Sequence, residues 1–357
     1  MKFEINGTSH GATGVTTTIT GLPEGLRLDI DRVQHDLHRR RPGQDLTTPR
    51  NETDQIDQIT GLNGSLTTAE PLTIHVPNQT QRSGDYHSLE GVLRPGHGVT
   101  QDLLSDPNAD IRGGGSSSAR LTIGHVIVGS IAHQILEREL SANFEVVAGL
   151  SLLAGVDIDQ SLLVPSSFTR ERVDASIVKC PIPPVSRLFE AAVRKAQIEG
   201  DSLGAEVTVI GRNIPQGIGQ RPNAPIDDVV AGRIMGINAV KSVEIGARDI
   251  HTKRGSEVVD HIAQLRNGQI VTEQNLAGGI LGGRTTGEDL IIRAGFKPTS
   301  SQSAAPMRSV RLDGSAHIID MKQDRGRHDP CVAIRGCIVL EATLAIAVLQ
   351  SFLDVRS

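Results

Sequence analysis

Aromatic residues are scarce in this 357-residue chain: they make up 2% of it, with six Phe, one Tyr and no Trp. Modules that bind single-stranded nucleic acid stack bases on aromatic side chains, and this chain has few to offer. The net charge of -5 also argues against nucleic acid as the main partner, because nucleic-acid-binding domains carry a positive surplus. The hydrophobic core must therefore rest on Val, Ile, Leu and Ala.

Cysteine is rare as well. The three present, Cys180, Cys331 and Cys337, are an odd number without metal-ligand spacing. This use of cysteine is typical of a reducing cytosol, and it predicts no metal site.

Long hydrophobic runs are missing too. The first eleven residues, MKFEINGTSHG, contain no apolar run of signal-peptide length. The most apolar segment, residues 337–353, is interrupted by Glu341 and Gln350 and is too short to span a bilayer. These features predict a soluble, cytoplasmic protein without a membrane partner.

The length would allow two domains, but no Pro-, Gly- or Ser-rich stretch is long enough to be a linker, although 38 Gly and 17 Pro punctuate the chain. We therefore expect a single domain over residues 1–357. The tripeptide Arg-Pro-Gly occurs twice, from Arg41 and from Arg94, which is a weak indication of internal duplication.

Hydrophobic periodicity predicts helices and strands without a regular alternation, which favours an α+β fold over a doubly wound sheet. In the first helix Ile30, Val33 and Leu37 form one apolar face, and the third is expected to end at a Gly200 cap. The predicted helices cover residues 29–40, 121–140, 187–199 and 339–353. The predicted strands cover residues 14–20, 72–76, 145–150, 205–210 and 310–319.

The pentapeptide GTSHG, residues 7–11, fits the G-x-S-x-G pattern of a nucleophile elbow. An elbow needs a strand before it and a helix after it, with an oxyanion loop earlier in the chain. Only six residues precede this motif, and a Gly-rich β-branched run follows it. The sequence therefore gives little support to an α/β-hydrolase.

The segment RGGGSSSAR, residues 112–120, leads directly into the second predicted helix. Glycines let the backbone approach a ligand, serines cap the helix, and the helix N-terminus attracts an anion. A phosphate-binding loop and a flexible surface loop are both compatible with this segment. No P-loop and no convincing GxGxxG occurs in the chain, so common nucleotide-binding folds are not indicated.

Histidines in Gly-rich turns are the candidates for acid–base chemistry. His10 and His97 each lie in such a turn, and residues 326–330, GRHDP, form a third. A single loop histidine is most often structural, but three such turns with arginines beside two of them favour proton transfer on an anionic substrate. The runs Arg39-Arg40-Arg41 and Arg112-Gly-Gly-Gly are interpreted as local anion-binding sites.

Taken in order, these motifs resemble those of the chorismate synthases over nearly the whole chain. About ten matches in the same order make the resemblance specific. They are GTSHG at residue 7, RRRPG at 39, TTPRNETD at 47, NQTQRSGDY at 78, RPGH at 94, RGGGSSSAR at 112, EGDSLGA at 199, INAVKSVEIG at 237, AGGILGG at 277, KPTSS at 297 and GRHDPC at 326.

The resemblance implies a lyase that removes phosphate and the C6 proton from 5-enolpyruvylshikimate-3-phosphate by anti-1,4-elimination, with reduced FMN and no net redox change. By resemblance, His10, with Ser9 beside it, protonates the departing phosphate. His97 protonates the reduced flavin, and Asp329 helps the flavin N5 accept the substrate proton.

The resemblance also implies the binding residues and the architecture. The expected fold is a β-α-β sandwich with antiparallel core sheets, outer helices and internal pseudosymmetry, assembled as a homotetramer. Some family members reduce their own flavin with NADPH, and Arg40 belongs to that site. Expected substrate contacts are Arg40, Arg50, Arg120 and Arg335. Expected flavin contacts are Ser116, Ser117, Ser118, Asn238, Ala239, Gly282, Lys297, Pro298, Thr299, Ser300, Ser301 and Arg327.

The sequence departs from the family pattern at five positions. Two departures replace an Arg that is expected at the phosphate and flavin sites, Leu46 and Ser116, and each would remove a charge-assisted contact. These losses leave three hypotheses: an active enzyme with an altered anion site, a paralogue acting on a related cyclohexene ester, or an inactive flavin-binding homologue. The other departures are Thr8, Leu121 and Leu276.

Overall fold

A computed structural model describes residues 1–7, 13–80, 89–220, 222–266, 268–322 and 328–356. The strands are β1 Lys2–Gly7, β2 Val15–Thr20, β3 Gln58–Thr60, β4 Leu62–Asn63, β5 Leu66–Thr67, β6 Leu72–Val76, β7 Glu145–Leu153, β8 Ala205–Arg212, β9 Val240–Ile245, β10 Ile262–Arg266, β11 Gln269–Thr272, β12 Ile280–Leu281, β13 Arg284–Thr285, β14 Leu290–Phe296, β15 Met307–Val310 and β16 Ala316–Ile319. The helices are α1 Ile30–Arg40, α2 Val99–Ser105, α3 Thr122–Glu139, α4 Arg170–Ala175, α5 Pro183–Glu199, α6 Ile226–Met235 and α7 Ala333–Arg356.

Two four-stranded antiparallel sheets form the framework. The first has the order β1-β2-β6-β3, and the second has the order β7-β8-β14-β9. In each sheet the first two strands pair as neighbours, and the last strand lies between the second and the third. The two sheets therefore share one strand order, and four small two-stranded hairpins are attached to them.

The two longest helices lie between the sheets. Helix α3 packs against β2 and α7, and α7 packs against β7 and β8. Helix α7 is apolar on all sides, and it is long and apolar enough to cross a membrane by length and composition, but 89% of its most apolar window is buried inside the protein. A helix that is hydrophobic all round needs cover on every side, which the two sheets and the neighbouring helices supply.

The α+β class and the antiparallel β-α-β sandwich are confirmed by this arrangement. The expectation that the helices lie outside is corrected for α3 and α7, which form the middle layer. Helix α4 does lie outside, on the opposite face of the second sheet, where Phe168 and Val173 pack against Val147, Ile210 and Ile291.

Internal pseudosymmetry is also confirmed, and a sequence repeat underlies it. Residues 61–72, GLNGSLTTAEPL, match residues 279–290, GILGGRTTGEDL, and both stretches form a small hairpin followed by a sheet strand. The Oγ1 of Thr67 donates to the carbonyl of Pro23 at 2.5 Å, and the Oγ1 of Thr285 donates to that of Pro215 at 2.6 Å. The Arg-Pro-Gly tripeptides do not mark this repeat, because both precede the second sheet.

The hydroxyls also accept hydrogen bonds in matching positions. Leu26 N donates to Thr67 Oγ1 and Ile218 N donates to Thr285 Oγ1, each at 2.9 Å. The partners come from the matching segments LPEGL, residues 22–26, and IPQGI, residues 214–218. Each half therefore uses one buried threonine to fasten its hairpin to the turn that precedes a helix.

The element predictions hold in most places and differ in a few. Strand β6 has the predicted bounds, and Gly200 caps α5 in the left-handed region at φ 72°. Helix α1 begins one residue after the predicted start, because Asp29 is its N-cap. Residues 310–319 are not one strand: β15 and β16 form a hairpin whose turn contains Gly314 at φ 82°. Helix α7 begins at Ala333 rather than residue 339, because the buried Gly336 packs against Phe296 without interrupting the helix.

Candidate active site

A cavity of about 590 Å³ opens between segments from both halves of the chain. Its walls are the loop after α1, the turn before α2, the segment before α3, the connection from α6 to β9, the loop after β14 and the start of α7. Most of the predicted site residues meet here. They are His97, Asp329, Arg50, Arg120, Arg335, Ser117, Ser118, Asn238, Ala239, Lys297, Pro298, Thr299 and Ser300.

Four predicted residues lie elsewhere. Arg40 and Ser301 are buried behind the wall, and Ser301 accepts a hydrogen bond from Arg94. Ser116 is exposed and donates to Asp102 at 3.0 Å. Gly282 is exposed in the turn between β12 and β13. His10, Ser9 and Arg327 lie outside the described residues, so their predicted roles stay predictions.

Asp329 joins three walls of the cavity. Its Oδ1 accepts from the backbone N–H of Thr48 at 3.0 Å, and its Oδ2 accepts from Nη1 of Arg335 at 2.9 Å. Its carbonyl accepts from the hydroxyl of Thr299 at 3.0 Å. Both carboxylate oxygens are thus acceptors, which is the arrangement of an ionised carboxylate. The negative charge at this wall is held in one orientation.

His97 faces the cavity as a neutral imidazole. Its Nδ1 accepts from the backbone N–H of Val99 at 3.2 Å, so Nε2 carries the proton. Burial, together with the positive charges of Arg94 and Lys297, lowers the pKa of His97 to about 3. The ring therefore offers an N–H donor to whatever occupies the cavity, rather than a positive charge.

Arg40 and Arg120 are held by one buried carboxylate. Nη1 of Arg40 donates to Asp54 Oδ2 at 2.9 Å, and Nη1 of Arg120 donates to Asp54 Oδ1. The other nitrogens of Arg120 donate to Asn78 Oδ1 and to the Pro77 carbonyl, each at 2.9 Å. The two guanidiniums therefore act first as anchors of the segment before α3, and not as open substrate ligands.

The interpretation of Arg39 and Arg40 as a local anion-binding site is also wrong. Arg39 pairs with Glu341 at 2.8 Å and with Asp174 at 3.0 Å, and burial together with Arg40's neighbours lowers the pKa of Arg40 to about 9. These carboxylates come from segments far apart in the sequence. Because they occupy the guanidinium groups of Arg39 and Arg40, the two side chains do not form a binding site for a dissolved anion. Arg39 and Arg40 are structural, whereas Arg41 is exposed.

The segment 112–120 forms two 3₁₀ turns and lines the cavity through Gly114, Ser117 and Ser118. The Ser118 hydroxyl accepts from Arg120 N at 3.3 Å. Nδ2 of Asn238 donates to the Ser117 carbonyl at 2.7 Å and fastens the segment to the α6–β9 connection. This geometry favours the ligand-binding interpretation of the loop over an unattached surface loop.

Leu46 does not face the cavity, which corrects the expectation that it stands at the anion site. Its side chain is 1% exposed within the hydrophobic core, and its backbone is left-handed at φ 60°. Asp45 Oδ1 accepts from its N–H at 3.0 Å and stabilises this turn. The substitution at this position therefore changes the core and leaves the described lining of the cavity as it is.

Among the lining residues without a predicted catalytic or binding role, three carry titratable side chains: Arg94, Lys241 and His328. All three lie inside motifs that had been noticed, namely RPGH, INAVKSVEIG and GRHDPC. Their neighbours His97, Asn238 and Asp329 took the roles implied by the resemblance. Proximity within a motif was the signal that could have found them.

Comparisons with known proteins agree with this site. The family model of chorismate synthase matches residues 1–353. The chain is 38% identical to chorismate synthase of Wolinella succinogenes, over 95% of this chain and 89% of that one. It is 37% identical to chloroplastic chorismate synthase 1 of Solanum lycopersicum, over 97% of this chain and 78% of that one.

A solved structure, described as the crystal structure of chorismate synthase, superposes with a TM-score of 0.74 at 22% identity. The match covers 99% of this chain and 91% of the chain in that structure, which shows that the fold is shared. The family model and the relatives define a carbon–oxygen lyase that acts on phosphate. The chain belongs to the chorismate synthase family.

Proposed function

We propose that the chain converts 5-enolpyruvylshikimate-3-phosphate into chorismate with reduced FMN. The observation that carries the proposal is the meeting of neutral His97, the oriented Asp329 carboxylate and several cations in one cavity. Arg50, Arg335 and Lys297 make the cavity suit an anionic substrate. Neither Leu46 nor Ser116 faces it, so the two departures give no ground for a changed substrate.

The residues present fit a flavin mononucleotide. The cavity, at about 590 Å³, falls in the usual range for sites of this kind, roughly 300–1,000 Å³. Its backbone is irregular and accessible where the resemblance puts the cofactor: Ala239 has φ 71°, and its carbonyl accepts from Lys297 N at 2.9 Å. We infer that Ser117, Ser118, Asn238, Ala239 and the segment 297–300 hold it.

The chain's own groups have separate tasks in this proposal. When bound, a reduced flavin supplies electron density to the substrate and takes it back, so that the elimination has no net redox change. Arg335, oriented by Asp329, binds a substrate anion with the part of its guanidinium that faces the cavity. His97 would donate a hydrogen bond from Nε2 to the bound cofactor. Asp329 would help the cofactor to accept the substrate proton. His10 remains the proposed acid for the departing phosphate.

We also propose a cytoplasmic homotetramer, supported by family membership alone. Reduction of the flavin by NADPH through Arg40 has no support from the geometry. The side chain of Arg40 is 1% exposed, and its donors bind Asp54, Thr122 and the Ala119 carbonyl. Reduced flavin from another source is the simpler proposal.

The test is an anaerobic assay of the purified protein with the enolpyruvyl phosphate and photoreduced FMN. We expect chorismate and inorganic phosphate in equal amounts, and no product when FMN stays oxidised. A lack of product with reduced FMN would overturn the proposal, and so would turnover in air with oxidised FMN and no reductant.

A further inference from the structure

His328 has a buried nitrogen that the protein leaves without a partner. Its side chain lines the cavity together with His97. Within the described part of the chain, its Nε2 is shielded from solvent and makes no hydrogen bond. Buried polar atoms are nearly always paired in native proteins, so an exception inside a ligand cavity indicates an atom whose partner is the ligand.

The groups around His328 favour an uncharged imidazole. Burial and the positive charge of Arg94, partly offset by Asp329, lower the pKa of His328 to about 4. Arg94 is itself buried, and His97 lies close enough for the two imidazoles to disfavour each other's protonation. A phosphate or carboxylate would be matched by a cation, whereas a neutral imidazole matches an uncharged polar edge, such as the carbonyl and N–H groups of a heterocycle.

The position of His328 points to the cofactor. The next residue, Asp329, accepts from Thr299 through its carbonyl, which ties His328 to the segment 297–300. We propose that Nε2 of His328 forms a hydrogen bond with the polar edge of the flavin ring system and sets how tightly the cavity holds it. This rests on the proposed function, because the occupant is taken to be a flavin.

The experiment measures flavin binding without turnover. Wild type, His328→Phe and His328→Gln are titrated anaerobically with oxidised and with reduced FMN, and the affinity and the visible absorption band of the bound flavin are recorded. Phe keeps the ring volume without a hydrogen bond, and Gln restores a donor and an acceptor. We expect His328→Phe to weaken FMN binding roughly tenfold, as loss of one neutral hydrogen bond would, and to shift the band, while His328→Gln recovers both.

Other outcomes overturn the inference. FMN affinity and spectrum unchanged in a folded His328→Phe, or in His328→Leu should the Phe variant not fold, would show that Nε2 does not contact the flavin. If His328→Phe weakened the binding of the enolpyruvyl phosphate and left FMN binding unchanged, the partner of Nε2 would be the substrate. If wild type binds no FMN, the proposed function falls as well, whereas wild-type binding with indifferent variants removes only the role of His328.

Discussion

Gly129 in α3 lies directly against Ala342 in α7. A Cβ on Gly129 would be 2.3 Å from the Cβ of Ala342, a distance that the two helices cannot accommodate without moving apart. We expect Gly129→Ala to destabilise the protein by about 3 kcal/mol, because overpacking at the centre of a close-packed core forces backbone shifts. The measurement is the free energy of unfolding in denaturant.

The matched control is Gly232→Ala in α6, where an added Cβ meets nothing within 4 Å. That variant should gain up to about 1 kcal/mol from helix propensity. Equal effects of the two substitutions would mean that the α3–α7 contact is looser than the geometry indicates.

Asp54 compensates two buried guanidiniums at once, so its charge matters more than its size. In Asp54→Asn, Arg40 loses the carboxylate that pairs with it, and the remaining carboxylate near Arg120 in the described part of the chain is Glu52, at 4.0 Å. Asn accepts the left-handed backbone found here, φ 51°, so the change isolates the charge. Removing one partner from a buried ion pair costs about 3–5 kcal/mol, and we expect a loss of that order.

Chemical denaturation measures this loss, with Asp110→Asn as the control. Asp110 pairs with Arg112 at 2.6 Å on the surface, where both side chains are 47% exposed. The control should unfold at the same denaturant concentration as wild type. A stable Asp54→Asn protein would show that water reaches Arg40 and Arg120.

Stability should fall as the pH is lowered from 7 to 5. His97, His328 and His133 have pKa values lowered by burial to about 3, 4 and 4, from an ordinary value of 6.5. Below pH 6.5 these histidines are protonated in the unfolded chain but stay neutral in the native protein. The stability present above that pH is therefore lost progressively as the pH falls. Each imidazole should contribute on the order of 1–2 kcal/mol by pH 5.

Denaturation curves at pH 7.5, 6 and 5 check this dependence, and His133→Gln should make it less steep. Glu341 does not contribute in this window, because its pKa is lowered to about 2 and its effect is lost only below its ordinary value of 4.5. Constant stability between pH 7.5 and 5 would contradict the neutral state of these histidines.

Leu46→Arg tests whether this position belongs to the anion site or to the core. We expect a destabilisation of more than about 3 kcal/mol, because the substitution buries an unpaired guanidinium among apolar side chains. Leu46→Met, which conserves volume, should cost less than about 1.5 kcal/mol. A stable Leu46→Arg protein that binds the substrate more tightly at low salt would place the side chain in the cavity after all.

His97→Ala should reduce turnover far more than it weakens substrate binding. His97 is neutral and donates a hydrogen bond from Nε2, and one preorganised donor to developing charge typically contributes about 10²–10³-fold to the rate. Anaerobic steady-state kinetics with reduced FMN separates kcat from KM, and the affinity for FMN is measured beside it. Wild-type turnover in the variant would make His97 a structural residue of its turn.

Features that depend on neighbouring residues, such as element bounds, helix caps and short motifs, could be predicted from the sequence. The bounds of β6, and those of α1 to within one residue, follow from apolar periodicity, and Gly200 is predictable as a cap because glycine adopts the left-handed conformation without steric cost. The ordered motifs identified the family, since each requires particular side chains at particular spacings. Most of the residues that line the cavity belong to these motifs.

Ion-pair partners that lie far apart in the sequence could not be predicted. Nothing in the run at residues 39–41 says that Arg39 meets Glu341, 302 positions away, or that Arg40 and Arg120 share Asp54. An exposed anion-binding arginine and a buried paired one look the same in a sequence, because the difference lies in a carboxylate brought by another segment.

The sequence by itself determined the family, the α+β class and the segments that build the cavity, because these depend on periodicity, turn chemistry and short motifs. Only the tertiary structure decided that α3 and α7 form the middle layer, that Leu46 is buried in the core, and that His328 has a buried nitrogen without a hydrogen-bond partner in the described part of the chain. The physical reason is that burial and hydrogen-bond satisfaction are properties of a residue's whole surroundings, which the folded chain assembles from both of its halves.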